Sequence, residues 1–149
     1  MKPEFEVSGR IARPVHEVFE AVADPAKLSG YFTTGGAKGR IEEGATVTWD
    51  FHDFPGAFPV HIAEVVPDQR IVLEWGGPEG SGEGATRVTM RFEDLGDGRT
   101  LVSIHEEGFA PNDKGTKQSY GNCMGWAQMI SAMKAWVEHG LNLREGMYR

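Results

Sequence analysis

The segment "NCMGWAQMISAMKAWVEHG", Asn122 to Gly140, decides the fold. From Trp126 the apolar positions Ile130, Met133 and Val137 step by four, three and four, and Met129 and Trp136 widen the stripe. That spacing belongs to a helix with one buried face. The preceding half turn-by-turn is different: "SYGNCMGWA" is small and mildly polar, with Gly125 beside Trp126. A helix that is bulky at one end and small at the other fits a partner surface that it fills at one end only.

That surface has to come from the rest of the chain, where the period is two. Phe5, Val7, Gly9 and Ile11 alternate with Glu4, Glu6, Ser8 and Arg10, the pattern of a half-buried strand. Val15, Val18, Phe19 and Val22 then take helical spacing, with Pro14 at the first turn. Pro25 disfavours helix at Asp24, and "PAKLSGYF" is read as a short second helix. "TTGGAKG" is read as a turn. Strands follow: Val47, Trp49 and Phe51 share one face; so do Phe58, Val60, Ile62 and Glu64; Ile71, Leu73 and Trp75; Val88, Met90 and Phe92; and Val102, Ile104 and Glu106. "PDQ" and "GDGR" are turns, and "GGPEGSGEG" is a loop whose glycines lack the Lys-Ser/Thr of a phosphate loop. Each strand shows one wet and one apolar face, as in an antiparallel sheet covered on one side. The last helix is the element long enough to cover it. With no repeat or linker, residues 1–149 are read as a single domain.

Composition narrows the function. Fifteen Lys and Arg against twenty-two Asp and Glu give a net charge of −7, which argues against a nucleic-acid surface or an anionic membrane. One cysteine, Cys123, precludes an internal disulfide and fits a reducing compartment. No apolar run is long enough to span a bilayer, and the start "MKPEFEVSGR" has no signal-peptide core, so the expected location is cytoplasmic.

Four pieces in this order carry a resemblance: "RIARPVHEVFEAVADPAKLSGYF", "VHIAEVVPDQRIVLEW", "GDGRTLVSIHEEGF" and "GWAQMISAMKAWVEHG". Together they resemble the START/Bet v 1-like (SRPBCC) superfamily, in the branch related to the C-terminal domain of the activator of Hsp90 ATPase. The resemblance implies an α+β helix-grip fold. Its curved antiparallel sheet of six or seven strands wraps a long C-terminal helix, two short helices follow the first strand, and a cavity lies between sheet and helix. It also implies binding of small apolar molecules. Tyr31-Phe32 stand where relatives often carry a Trp pair near the cavity mouth, so ligand choice does not transfer.

The residues expected at a ligand site are Tyr31, Phe32, Trp49, Phe51, Phe58, Trp75, Met90, Ile104, Glu106, Cys123 and Ala127. Aromatic-lined concave sites are the usual shape of apolar ligand pockets. Glu106 is the one plausible inward carboxylate, suited to orienting a ligand by a hydrogen bond; a wet strand end is the alternative. Glu64 is a doubtful second, more simply paired with Arg70 across its turn. His61 and His105 fall on the outer face. His16 lacks the second His of a zinc-helix motif, and no Cys/His spacing suggests a metal. Cys123 is read as a cavity-side packing residue. No catalytic pair and no cofactor motif emerges. The expected function is binding of a small hydrophobic or aromatic molecule without catalysis. A chaperone-accessory or protein-interaction domain is the alternative, and a cyclase or hydrolase comes third.

Overall fold

The alternation along the chain becomes a seven-stranded sheet in a computed structural model, described over residues 2–52, 54–76 and 85–147. In chain order the elements are β1 (Phe5–Ile11), α1 (Val15–Ala23), α2 (Pro25–Leu28), β2 (Gly36–Lys38), β3 (Thr46–Phe51), β4 (Phe54–Val66), β5 (Arg70–Trp75), β6 (Thr86–Asp94), β7 (Thr100–Glu107) and α3 (Asp113–His139). The sheet order is β1-β7-β6-β5-β4-β3-β2, with every pair antiparallel. α3 lies on the inner face of this curved sheet, which is the helix-grip α+β architecture. Met129, Ile130 and Met133 of α3 share one core with Ile11, Ile62, Leu73, Met90 and Ile104. Of the segment Gly76–Gly84 read as a loop, residues 77–84 lie outside the described residues.

Two glycines let α3 sit this close. A Cβ on Gly9 of β1 would stand 2.8 Å from Ile130 Cγ2, and one on Gly30 would stand 2.6 Å from the Trp136 indole. The ends of α3 are closed by side chain and backbone. Asn112 Oδ1 accepts the Gly115 N–H at 2.9 Å, and Gly140, with φ of 70°, terminates the helix in the left-handed conformation. Asp24 separates the first two helices: its carboxylate accepts the Ala26 N–H at 2.9 Å, and Pro25 opens α2.

Three local expectations are corrected. The helix read over "PAKLSGYF" stops at Leu28, because Ser29 Oγ donates to Pro25 O at 2.7 Å while accepting the Ala37 N–H at 3.1 Å, which turns the chain toward β2. "TTGGAKG" is not only a turn: Gly36–Lys38 pairs with β3 as a three-residue strand too short to show alternation. In β4 the register shifts between Ile62 and Glu64, so Ala63 is an extra residue and the parity flips. Val65 then packs against the core, while Glu64 turns to pair with Arg70.

Candidate functional site

Glu106 enters β7 on the inward parity and is fully buried. Four side chains converge on its carboxylate. The Trp126 indole N–H donates to Oε1 at 2.8 Å, and the Trp75 indole N–H donates to Oε2 at 3.0 Å. Thr86 Oγ1 donates to Oε2 at 2.5 Å, and the Asn122 amide donates to both oxygens at 3.2 and 3.1 Å. The donors come from β5, β6 and α3, so one carboxylate ties three elements to β7. Indole and amide N–H groups only donate, and a carboxylate only accepts. Glu106 thus points inward, as strand parity expects, and is not at a wet strand end, but its oxygens accept from the protein's own side chains.

The same tryptophans belong to a continuous aromatic cluster. Phe32 stacks on Trp126 at 5.5 Å and meets Trp49 and Phe51 edge-on at 5.6 and 5.0 Å. Trp75 joins Trp49, Phe58 and Trp126 at 5.6, 5.7 and 5.3 Å. Phe51 stacks on Phe58 at 5.9 Å. Most of these rings are buried; Phe58 and Trp75 are the half-buried members and form the accessible side. With its N–H pinned to Glu106, each of the two indoles has a fixed orientation; Trp126 is buried under Phe32, and Trp75 is the half-buried one.

The structure brings Phe32, Trp49, Phe51, Phe58, Trp75 and Glu106 together. Met90 and Ile104 are cross-strand partners and fully buried, one inward pair along from Val88 and Glu106. Tyr31 is placed elsewhere: its ring packs on Trp136 at 5.6 Å, near the far end of α3. Its hydroxyl donates to Ala21 O at 3.0 Å, and burial pushes its phenol well above the ordinary range. Ala127 is exposed, which corrects its expected place beside the interior. The helix stripe centres on Trp126, Met129, Ile130 and Met133; Ala127 stands 100° off that line, and Cys123 lies on the same flank, half-buried.

Three neighbours escaped the sequence reading. Thr86 shares the inward parity of Val88 and Met90, and Asn122 precedes Trp126 by four on one helix face; both signals were legible. Arg144 had none. It follows α3 in a turn where Asn142 Oδ1 accepts the Arg144 and Glu145 N–H groups at 3.0 and 3.1 Å. Its Cζ sits 5.1 Å from the Phe51 ring centroid and 6.0 Å from that of Phe32.

Outside this cluster, a groove of about 310 Å³ lies between α1, residues 40–43 and the β4–β5 turn. There Arg40 pairs with both Glu20 oxygens at 2.7 Å and holds that carboxyl below its ordinary value. On the outer face His105 approaches Glu4 at 3.3 Å and Glu107 at 3.6 Å, a grouping made by β1–β7 pairing that sequence spacing does not display. No helix among the described residues is long and apolar enough to cross a membrane.

Proteins of known structure share this fold. A Staphylococcus saprophyticus protein of known crystal structure is 28% identical, covers 95% of this chain with 96% of its own, and superimposes with a TM-score of 0.79. CalU16 of Micromonospora echinospora is 22% identical, with coverage of 97% and 79% and a TM-score of 0.72. The Aha1 dimer from Colwellia psychrerythraea is 15% identical, with coverage of 93% and 98% and a TM-score of 0.74. At these lower identities the likeness concerns the fold alone. No curated protein matches. Residues 12–138 match the family described as Activator of Hsp90 ATPase homolog 1-like protein, and the chain belongs to that family.

Proposed function

We propose that the protein binds a small apolar or aromatic molecule against the Phe58–Trp75 side of the aromatic cluster, without transforming it. The observation that carries this reading is the six-ring cluster whose two central indoles are anchored on one buried carboxylate. Fixed aromatic faces give contact area at little ordering cost, which favours recognition. Proton transfer would need a group free to reach the reacting atom. Glu106 is held by four donors, and His61 and His105 are on the outer face, so binding is the better use of these residues.

The test is a titration with naphthalene-type ligands, followed by tryptophan fluorescence and amide chemical shifts. Saturable changes at Phe58 and Trp75 are expected, weakened about tenfold by Phe58→Ala, equivalent to about 1.4 kcal/mol. An absence of saturable change up to the ligands' solubility would sink the proposal. A protein-contact function of the Hsp90-activator type is the second reading. It is favoured by Tyr120 and Met124, 71% and 56% exposed and one turn apart on the outer face of α3. Stimulation of Hsp90 ATPase that vanishes with Tyr120→Ser and Met124→Ser, with ligand binding intact, would decide for it.

A further inference from the structure

The groove between α1, residues 40–43 and the β4–β5 turn stands apart from the aromatic cluster. Trp75 pairs with Val60 at one end of the β4–β5 hairpin, whereas the turn closes at the Val66–Arg70 pair at the other. The groove holds about 310 Å³ over an apolar floor of Phe19, Ile41, Val65 and Pro67. Val65 reaches that floor because of the bulge at Ala63, which sends Glu64 out to Arg70 and turns Val65 inward. We propose that this groove is a second ligand site, and that it takes a small organic cation, a primary amine on a compact apolar body.

Charge selects the sign of the ligand. Glu20, Glu42, Glu43 and Asp68 bring four carboxylates to the groove, against the guanidinium of Arg40 and the imidazole of His16. Arg40 donates to both Glu20 oxygens at 2.7 Å, and Asp68 Oδ1 holds His16 Nδ1 at 2.9 Å. Those two pairs use two of the four carboxylates and leave Glu42 and Glu43, adjacent and exposed on one wall. Glu43 Oε1 accepts the Val65 N–H at 3.3 Å, so this carboxylate is directed at the floor rather than away from it. A carboxylate offers about four lone-pair sites, and one such bond leaves room for an ammonium. The ammonium–carboxylate bonds are charge-assisted. The walls are set by the backbone before any ligand arrives: the Ile41 N–H donates to Ala23 O at 3.1 Å, and the Gly44 N–H to Ile62 O at 2.8 Å. A preformed groove lowers the ordering cost of binding. Apolar floor and a few fixed charges are the ordinary make-up of a small-molecule site. The net charge of −7 also draws cations toward the chain. An anion would meet the carboxylate excess, and a neutral body would use the floor alone.

The experiment titrates the full chain with cyclohexylmethylamine, cyclohexylmethanol and cyclohexanecarboxylate, which share one apolar body and differ in charge, at neutral pH and low ionic strength, followed by amide chemical shifts. The amine is expected to give saturable shifts at Ile41, Val65 and Asp68 and to bind about tenfold more tightly than the alcohol, the scale of one charge-assisted bond. The carboxylate should give no saturable response. Glu42→Gln combined with Glu43→Gln should bring amine and alcohol within about twofold. Both side chains are exposed, so the double variant should keep the native unfolding midpoint. Added salt should weaken the amine and spare the alcohol. Equal binding of amine and alcohol by the native chain would overturn the inference. So would a preference that survives the double substitution, tightest binding of the carboxylate, or no saturable shift up to the amine's solubility. Shifts confined to Phe58 and Trp75 would also overturn it, placing the amine in the aromatic cluster. The naphthalene titration of that cluster is read at Phe58 and Trp75, so the two sites stand or fail separately.

Discussion

Glu106 is a carboxylate removed from water with donors, not a cation, for company. Burying such a group is costly unless its acceptor positions are filled, and removing the match leaves several donors without partners. Glu106→Gln sets an NH2 among two indole N–H groups and an amide NH2 that can only donate, leaving the Thr86 hydroxyl as the one partner able to accept from it. It is expected to cost about 2–4 kcal/mol in urea unfolding, more than one unsatisfied group and near the range for breaking a buried pair. A loss below about 0.5 kcal/mol, the scale of surface substitutions, would mean the donors find other partners. Strand parity was enough to read that this side chain points inward. It could not supply the partners, which lie between sixteen and thirty-one residues away and meet Glu106 only when β5, β6 and α3 converge on β7.

Within α3, two glycines have opposite expected effects. A Cβ on Gly115 would fall 1.9 Å from Ala110 O, a backbone atom that cannot step aside cheaply, whereas one on Gly125 meets nothing within 4 Å. Gly115→Ala should therefore destabilise by about 1–3 kcal/mol, the range for overpacking. Gly125→Ala should stabilise by up to about 1 kcal/mol through helix propensity alone. Thermal unfolding of the two variants checks the pair; a gain at Gly115 or a loss at Gly125 would contradict the helix placement. The apolar period from Trp126 to Val137 was legible because large side chains mark their own stripe. Small residues carry no such mark, and that is why Ala127 was assigned to the wrong flank while Asn122, on the stripe, was passed over. The bulge at Ala63 was hidden for a related reason: an inserted residue leaves the composition of a strand unchanged and alters only its phase.

For the molecule as a whole, α3 and the sheet share one core, with Trp126, Met129, Ile130 and Met133 packed among strand residues. Val18, Phe19 and Val22 of α1 join the same core, Phe19 meeting Phe92 of β6 edge-on at 5.4 Å. Urea unfolding followed by tryptophan fluorescence and by far-ultraviolet circular dichroism should give coincident single transitions, the signature of one cooperative unit. Separated midpoints would show that the layers unfold independently. The order of elements was readable from changes of period between two and 3.6; β2 was not, since three residues hold no period. That short strand has a consequence at the margin of the sheet. A sheet edge is a template on which another copy can add a strand, and proteins blunt it with brevity and charge. Here one border is β2, three residues ending at Lys38, and the other is β1, with Glu6 and Arg10 along it and Lys134 Nζ capping Arg10 O at 3.1 Å. Both borders resist runaway cross-β association, so any self-assembly of this chain would have to use helix or loop surface.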